Sequence, residues 1–446
     1  MTTEKRQKFS FALLKRVLSF ATPYKGMFSL AAIAAIVFAF ISPVRPLLIQ
    51  YALDHFVITP NKEMLLQFTI LLVVVLLFET LLQFLNEYLA GWLGQTIIRD
   101  MRTKLFRHIS QLHLKFFDKT PIGTLVTRVV SDMEAISDIF SNGLLVILGD
   151  FLKLIVIITV MFYSNWKLAL ISLSIFPLLL VGANIFKNGV NKSFNDVRTQ
   201  IAGLNAFVQE HITGMSIVQI FSREKEEMEK FKNINKEHRD ANIKSIWYYS
   251  IFFPFIEILS SISIGLIVWW GGRGIFDNEF SVGQLVAFIM YINMLFRPIR
   301  MIADRFNTLQ MGIVASDRVF KVLDTVNPNH VNKTEINLEK KEITKAEPLN
   351  GKVEFKNVWF AYADENWVLK NISFEANRGE TIALVGATGS GKSSIVSLIN
   401  RFYDYSKGEL LVDGVDVGNY NLQFLRKNIG IVLQDVFLYS DSIANN

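Results

Sequence analysis

The chain has 446 residues, of which 51% are hydrophobic and only 19% charged, and its mean hydropathy is +0.32. Soluble domains carry about 25% charged residues, so this composition excludes a simple cytosolic enzyme and a disordered chain. Residues 351–446 hold 9 basic and 11 acidic side chains, whereas residues 1–350 hold 37 and 29. A basic excess confined to the apolar part indicates membrane-facing loops and argues against nucleic-acid binding. Cysteine is absent, which excludes disulfides, thiolate metal sites and a cysteine nucleophile.

The first predicted element is an amphipathic helix over Phe9–Phe20 that lies at the membrane interface. Six apolar segments then approach the roughly 20 residues that a helix needs to cross a bilayer. These spans are predicted at 27–48, 64–86, 144–163, 166–186, 246–270 and 282–300. Arg45 is expected near the outer end of the first span, where its side chain can reach the lipid headgroups.

Two loops between the spans, 85–143 and 187–245, are long, polar and basic. The positive-inside rule places both loops and both termini in the cytoplasm. Each loop is expected to continue its flanking helices, with turns at Thr120–Gly123 and around Thr213–Gly214. About 20 extra helical residues project roughly 30 Å beyond the bilayer. The tips of both loops are therefore expected to contact another domain or another protein.

Ionisable residues inside the spans are functional candidates because charge is costly to bury in a membrane. The candidates are Glu79, Asp150, Lys153, Glu257 and Arg297. Asp150 and Lys153 are three residues apart on one helix, so they can instead pair with each other. Glu257 is the candidate substrate contact, and the alternative is an interhelical hydrogen bond without a substrate role.

Residues 1–325 are therefore predicted to form a membrane domain, 326–350 a polar linker and 351–446 a soluble domain. In the soluble part, a predicted strand at Thr381–Val385 and a predicted helix at Ser394–Arg401 flank a glycine-rich loop. The loop reads Gly386, Ala387, Thr388, Gly389, Ser390, Gly391, Lys392, Ser393, and Ser394 completes the predicted nucleotide-binding set.

This loop matches the pattern G-x-x-x-x-G-K-[ST] between a strand and a helix, which is the context that a P-loop requires. Its glycines let backbone N–H groups surround a phosphate at the helix N-terminus. Lys392 is expected to reach the β- and γ-phosphates, and the Ser393 hydroxyl to bind Mg²⁺. The loop predicts an ATP site, and therefore a cytoplasmic position for this part of the chain.

Three further features surround the P-loop in the sequence. Tyr362 ends a predicted strand at Val353–Tyr362. Its ring either stacks on adenine or fills a small core, and the residues alone favour the core position. Asp413-Gly414 predicts a hairpin turn. Gln434 follows a predicted strand at Ile429–Leu433, at the end where ligand-facing residues lie, with a helix cap as the alternative.

This order of elements resembles the ABC half-exporters of the multidrug and lipid-exporter type. Residues 116–128, FFDKTPIGTLVTR, look like the first coupling loop of that family, and residues 210–224, EHITGMSIVQIFSRE, like the second. The resemblance implies that Tyr362 stacks on adenine and that Gln434 is the Q-loop glutamine, which links Mg²⁺ and the attacking water to the coupling helices. The implied fold is a six-helix membrane domain with long cytoplasmic extensions, followed by an incomplete α/β P-loop nucleotide-binding domain.

The resemblance also implies a function. A half-exporter works as a homodimer or heterodimer in a membrane, here the bacterial inner membrane, and uses ATP and Mg²⁺ to export a hydrophobic or amphipathic substrate. The signature motif L-S-G-G-Q, the Walker B aspartate, the catalytic glutamate and the switch histidine are absent from the 446 residues. We therefore expect a C-terminally truncated half-exporter that does not hydrolyse ATP by itself. The alternatives are an ATP-binding subunit that leaves hydrolysis to a partner, and a nucleotide-sensing membrane component without transport.

Overall fold

The computed structural model describes residues 11–58, 60–326, 349–363, 365–432 and 437–445, except for the side chains at 300, 302–304, 306 and 307. The chain divides into two compact units. The helical unit comprises Met1–Met101 and Asp132–Asp317, and the sheet unit comprises Arg102–Ser131 and Arg318–Asn446. The tip of the first long loop thus belongs to the sheet unit.

Helices account for nearly all of the described chain before residue 326. They are α1 (Phe11–Ser19), α2 (Lys25–Ile41), α3 (Val44–Ala52), α4 (Lys62–Gln111), α5 (Leu114–Lys119), α6 (Ile122–Val129), α7 (Ser131–Asp138), α8 (Leu144–Ser164), α9 (Trp166–Leu173), α10 (Phe176–Thr213), α11 (Met215–Ile220), α12 (Glu224–Phe276) and α13 (Val282–Leu323). Short π-helical turns follow α3 at Leu53–Val57 and α7 at Ile139–Gly143. The predicted turns at Thr120–Gly123 and Thr213–Gly214 are confirmed by the ends of α5 and α10.

Six helical stretches in the described residues are long and apolar enough to cross a membrane. They are Thr22–Val57, Lys62–Gln111, Ile122–Ser164, Trp166–Thr213, Glu224–Phe276 and Val282–Ile299. Several of these helices far exceed the roughly 20 residues needed to span a bilayer, so they continue beyond it as stalks. The predicted helical membrane domain is confirmed, and the chain is an integral, multi-pass membrane protein.

The first helical stretch is longer than the predicted first span. The chain breaks at Ser42 and Pro43, where the Tyr291 hydroxyl donates to the Pro43 carbonyl at 3.0 Å, and then continues as α3 and a π-helical turn to Val57. Arg45 is the second residue of α3, just after this break. Its Nη1 lies 3.8 Å from Oε2 of Glu79, so the side chain is directed toward α4.

The main core of the helical unit lies between α8, α9, α10, α12 and α13. Phe186 stacks on Phe252 with ring centroids 3.7 Å apart, and the Ser263 hydroxyl donates to the Ser172 carbonyl at 2.9 Å. Such interhelical hydrogen bonds and close aromatic contacts hold helices together where lipid offers no hydrophobic driving force. In contrast, the most apolar window of α4 is only 11% buried, which suits a surface that faces lipid or another chain.

Besides α5, α6 and the ends of α4 and α13, the sheet unit contains an antiparallel sheet and two further short helices. Its strands are β1 (Val353–Ala361), β2 (Trp367–Ala376), β3 (Lys407–Val412) and β4 (Val415–Asp416), and its helices after the sheet begins are α14 (Lys392–Ile399) and α15 (Leu422–Lys427). The strand order is β2-β1-β3-β4. Asp413 and Gly414 have φ of 48° and 76°, as a type I′ turn requires, so the predicted hairpin is confirmed.

Two predicted strands are not formed. Residues 381–386 and 429–432 are in no strand, and Val385 and Val432 are 90% and 98% exposed. An apolar run adopts strand geometry only when a neighbouring strand takes up its N–H and C=O groups. Neither run pairs with β1–β4, which are the strands of the described residues.

Candidate nucleotide-binding site

The glycine-rich loop before α14 adopts a conformation that its glycines make possible. Gly389 and Gly391 have φ of 87° and 91°, in the left-handed region that side chains disfavour. A Cβ atom on Gly391 would also lie 2.7 Å from Cδ2 of Leu369, so space as well as backbone conformation requires glycine here. Successive residues in such conformations direct their N–H groups into a concave anion-binding nest.

The ammonium of Lys392, the first residue of α14, lies against the carbonyls of this loop. Its Nζ donates to the carbonyls of Gly386 and Ala387 at 2.7 and 2.8 Å and lies 3.4 Å from the Ser390 hydroxyl. The ammonium therefore adds a full positive charge to the partial charge of the α14 N-terminus. Ser393 follows in the first helical turn with an exposed side chain. These groups together suit a polyphosphate.

Tyr362 lies beside the P-loop helix rather than inside the core. Its hydroxyl is 2.9 Å from Oγ of Ser394, which is buried, while Tyr362 itself is 39% exposed. Its neighbour Phe360, in contrast, is only 2% exposed. The structure thus gives Tyr362 an accessible ring at the loop, where an adenine can stack.

Tyr403 is a residue that the sequence reasoning missed. Its ring meets that of Tyr362 edge-on, with centroids 5.0 Å apart, and its hydroxyl donates to Oδ2 of Asp118 at 2.7 Å. Burial and the nearby Asp118 carboxylate raise the pKa of the Tyr403 hydroxyl, which keeps it a donor. Asp118 lies in α5, so this bond joins the P-loop surroundings to the first loop tip. The F-F-D motif pointed to Asp118, but no local pattern pointed to Tyr403.

The residues proposed for Mg²⁺ are only partly described. Gln434 lies outside the described residues. Within the described ranges, no group of three or more His, Asp or Glu side chains could hold a metal ion. The Ser393 hydroxyl beside a phosphate-binding loop nevertheless fits the way a nucleotide brings Mg²⁺, which is held largely by phosphate oxygens and water.

The charged residues predicted inside the spans lie on several helices. Glu79, Asp150, Lys153 and Arg297 lie on α4, α8 and α13, and Asp150 bonds to Arg305 of α13 rather than to Lys153. Glu257 lies on the exposed side of α12. It is close in sequence to an open groove of about 600 Å³ lined by Asn242, Ser245, Ile246, Tyr249, Ser250, Phe253 and Pro254.

Comparison with known proteins gives two family matches. The family described as the ABC transporter transmembrane region matches residues 28–299, and the family described as ABC transporter matches residues 369–446. YgaD of Bacillus subtilis, named as a candidate multidrug export ATP-binding/permease protein, is 33% identical over 441 residues, which cover 97% of this chain and 75% of YgaD.

Two further relatives match over a similar length. The ATP-dependent lipid A-core flippase of Syntrophus aciditrophicus is 31% identical over 434 residues, covering 97% of this chain and 71% of the flippase. The protein exp8 of Streptococcus pneumoniae, named as a candidate ABC transporter ATP-binding protein, is 34% identical over 446 residues, covering 98% of this chain and 73% of exp8.

Proposed function

This chain belongs to the ABC transporter family, and we propose that it is one half of a dimeric exporter that moves a hydrophobic or amphipathic compound across a membrane. The family couples such transport to ATP. The observation that carries the proposal is the hydrogen bond from Tyr403 to Asp118. It links the residues beside the P-loop to the first long loop, and an ATP-driven transporter requires such a link between its nucleotide site and its spans.

We assign each part of the bound nucleotide to particular groups. The backbone N–H groups from Gly386 to Ser394 surround the phosphates, and Lys392 neutralises charge on the β- and γ-phosphates. Tyr362 stacks on the adenine, and Ser393 and Gln434 hold Mg²⁺. When bound, Mg²⁺ would neutralise the negative charge that develops on the phosphate during hydrolysis. The positive loop and the exposed Tyr362 ring support these roles.

The membrane orientation follows from where ATP is found. A P-loop that binds ATP lies in the cytoplasm, and an even number of spans then leaves both termini on that side. The sources of the similar proteins support the bacterial inner membrane as the location. The flippase similarity supports a lipid-like or otherwise apolar substrate.

A second half-transporter is part of the proposal. In this family each ATP lies between the P-loop of one half and the signature motif of the other. Of these two motifs, the 446 residues contain only the P-loop. We propose that this chain supplies the P-loop of a composite ATP site and that the second half supplies the motif opposite it. A homodimer and a heterodimer both satisfy the rest of the proposal.

The test measures ATP binding and movement in the same preparation. The 446-residue chain contains no cysteine, so Lys225→Cys gives a single spin-label position at the start of α12 in lipid nanodiscs. With a second half that carries the opposing signature motif in the same nanodisc, we expect one distance between the labels of the two halves, and we expect ATP with Mg²⁺ to shorten it. Lys392→Ala is expected to weaken ATP binding at least tenfold and to abolish the shortening, because the loop loses its central charge.

The matched control is Lys370→Ala, which removes an exposed lysine of β2 and is expected to change neither readout. ATP binding without any change in the distance would contradict the exporter proposal and favour a nucleotide-binding component that does not transport. Phosphate release is followed in parallel. Strong Mg²⁺-dependent release that Lys392→Ala abolishes would show that the chain does hydrolyse ATP alone.

A further inference from the structure

A histidine joins α10 and α12, the two helices on either side of the second long loop, close to the tip of that loop. The tip is α11 (Met215–Ile220), while His211 lies in the last turn of α10 and Glu227 in the first turn of α12. Nε2 of His211 lies 2.8 Å from Oε2 of Glu227. His211 follows the predicted end of the fourth span by about 25 residues, or roughly 38 Å of helix, so this contact lies outside the membrane.

Both ring nitrogens of His211 face oxygen atoms that can only accept a hydrogen bond. Nδ1 lies 2.8 Å from the Phe207 carbonyl, and Nε2 faces the Glu227 carboxylate. A neutral imidazole has one N–H and would turn a lone pair toward one of these oxygens, whereas an imidazolium donates to both. The Phe207 ring also stacks on the imidazole with centroids 3.7 Å apart, which favours a cation. The geometry therefore fits a His211 ring that carries a proton on each nitrogen.

The Glu227 carboxylate stays ionised when His211 loses its proton. Its Oε1 accepts a hydrogen bond from Nζ of Lys230 at 2.8 Å. Lys230 and His211 together hold the pKa of the Glu227 carboxyl below its usual range. A neutral His211 would therefore turn a lone pair toward a charged oxygen or, in the other tautomer, toward the Phe207 carbonyl. Either arrangement weakens the contact between α10 and α12.

The other charged groups around His211 favour its protonated form or pair with one another. The hydrogen bonds to Glu227 and to the Phe207 carbonyl raise the pKa of His211, and the charge of Glu210 on α10 raises it further. α11 has no titratable side chain. Around the start of α12, Glu224 and Lys225 are exposed, and the remaining charges form two pairs, Arg223 with Glu226 and Glu229 with Lys232.

We propose that the contact between His211 and Glu227 is a pH-dependent connection at the base of the second tip, closed while His211 carries both protons and weakened when the cytoplasm becomes more alkaline. The rings of Phe207 and Phe231, with centroids 6.1 Å apart, still join α10 to α12 when it weakens. The tip is then held less firmly and transmits less of the movement that ATP drives. The cytoplasmic position of the tip rests on the proposed export function, to which this contact adds regulation by protons.

The first test measures the titration of His211 by NMR in the full chain without nucleotide. Histidine is labelled with ¹³C at Cε1, and His211→Phe identifies the His211 signal among the six histidines. We expect the pKa of His211 to lie above the ordinary histidine value of about 6.5, and Glu227→Gln to lower it. His238→Phe is the control, because Nε2 of His238 instead accepts a hydrogen bond from the Asn242 amide at 3.1 Å. A His211 pKa at or below the ordinary value, or one that Glu227→Gln does not change, would overturn the proposal.

The second test follows the tip itself by hydrogen exchange, with each rate divided by the intrinsic rate of the unfolded peptide at the same pH. A group with a raised pKa stabilises the fold fully at low pH, and this stabilisation is lost as the pH rises through that pKa. We therefore expect protection of residues 207–227 to fall roughly two- to threefold across the titration of His211. His211→Phe is expected to show the lower protection at every pH and His211→Arg the higher one, since the guanidinium stays charged. The same pH dependence in His211→Phe would overturn the proposal.

Movement of the label at Lys225→Cys separates this proposal from the export function. With the second half present, we expect ATP to shorten the label distance less above the His211 pKa than below it, and equally at both pH values in His211→Arg. If His211 titrates and protection falls as expected but ATP shortens the distance at neither pH, the pH-dependent contact stands and the exporter function fails. If ATP shortens the distance equally at both pH values without His211→Arg, the exporter function stands and regulation by protons is wrong.

Discussion

The tips of the two long loops differ in what holds them. The first tip, formed by α5 and α6, belongs to the sheet unit, where Asp118 accepts a hydrogen bond from Tyr403. The second tip, formed by α11, belongs to the helical unit. On the helices before and after it, Nε2 of His211 lies 2.8 Å from Oε2 of Glu227. A change at the P-loop can therefore reach the first tip within one chain.

The second tip presents a different surface. Ile217, Ile220 and Phe221 are 60%, 76% and 70% exposed, although they are large and apolar. Exposed apolar clusters of this kind mark interaction surfaces. The second tip therefore offers an apolar interaction surface, whereas the first tip is held inside its own chain by Asp118.

The strongest test of this difference is to deform the P-loop itself. Gly391→Ala places a side chain at φ 91°, which costs about 1–2 kcal/mol, and pushes its Cβ against Leu369. We expect ATP binding to fall at least tenfold and hydrogen exchange of residues 114–129 to increase, with residues 207–227 unchanged. Hydrogen exchange with mass spectrometry on the full chain measures both tips at once.

Gly203→Ala is the control for this variant. Gly203 lies in α10, and an added Cβ there would meet no atom within 4 Å. Alanine inside a helix is more favourable than glycine by about 0.5–1 kcal/mol, so this substitution is expected to leave ATP binding and both tips intact. Equal changes at both tips in Gly391→Ala would show that the first tip has no special link to the P-loop.

The sequence predicted those parts of the fold and candidate site that depend on neighbouring residues. The P-loop, the Asp413-Gly414 hairpin and the breaks around α5 and α11 follow from local rules for glycine, proline and hydrophobic pattern. The strands expected at 381–385 and 429–433 depend on pairing with distant strands, which local pattern does not encode.

The sequence also could not predict contacts between residues that are far apart in the chain. The contact between Arg45 of α3 and Glu79 of α4 joins residues on different spans, which a hydropathy pattern does not show. The bond between Tyr403 and Asp118 joins residues 285 positions apart, so no spacing rule could reveal it. The pairing of Asp150 with Arg305 rather than with Lys153 is a tertiary choice of the same kind.

A smaller effect is expected when only the Tyr403 hydroxyl is removed. Tyr403→Phe keeps the ring against Tyr362 and deletes the hydrogen bond to Asp118, which contributes about 1 kcal/mol. Hydrogen exchange in α5 and α6 is expected to increase roughly fivefold, while ATP binding changes little and the second tip not at all.

Tyr405→Phe is the matched control, because Tyr405 also donates its hydroxyl to a carboxylate, that of Asp416 at the β-hairpin. Its loss is expected to loosen the hairpin and to leave α5 and α6 unchanged. If the two variants affect the first tip equally, the Tyr403 bond does not anchor it.

The smallest effect is expected at the second tip. His211 stacks on Phe207 with centroids 3.7 Å apart, and its two ring nitrogens lie 2.8 Å from the Phe207 carbonyl and from Glu227. His211→Phe keeps the stacking and removes both polar contacts. Because partly exposed ion pairs contribute at most about 1 kcal/mol, we expect exchange of residues 207–227 to rise by roughly two- to threefold.

Lys230→Met removes the other partner of Glu227, an ammonium that is 62% exposed, and is expected to have still less effect. In both variants the exchange of α5 and α6 is expected to stay at its original rate, because the first tip is held by the sheet unit. An increase at the first tip in His211→Phe would mean that the two loops open together. The separate anchoring inferred from Asp118 and Glu227 would then be wrong.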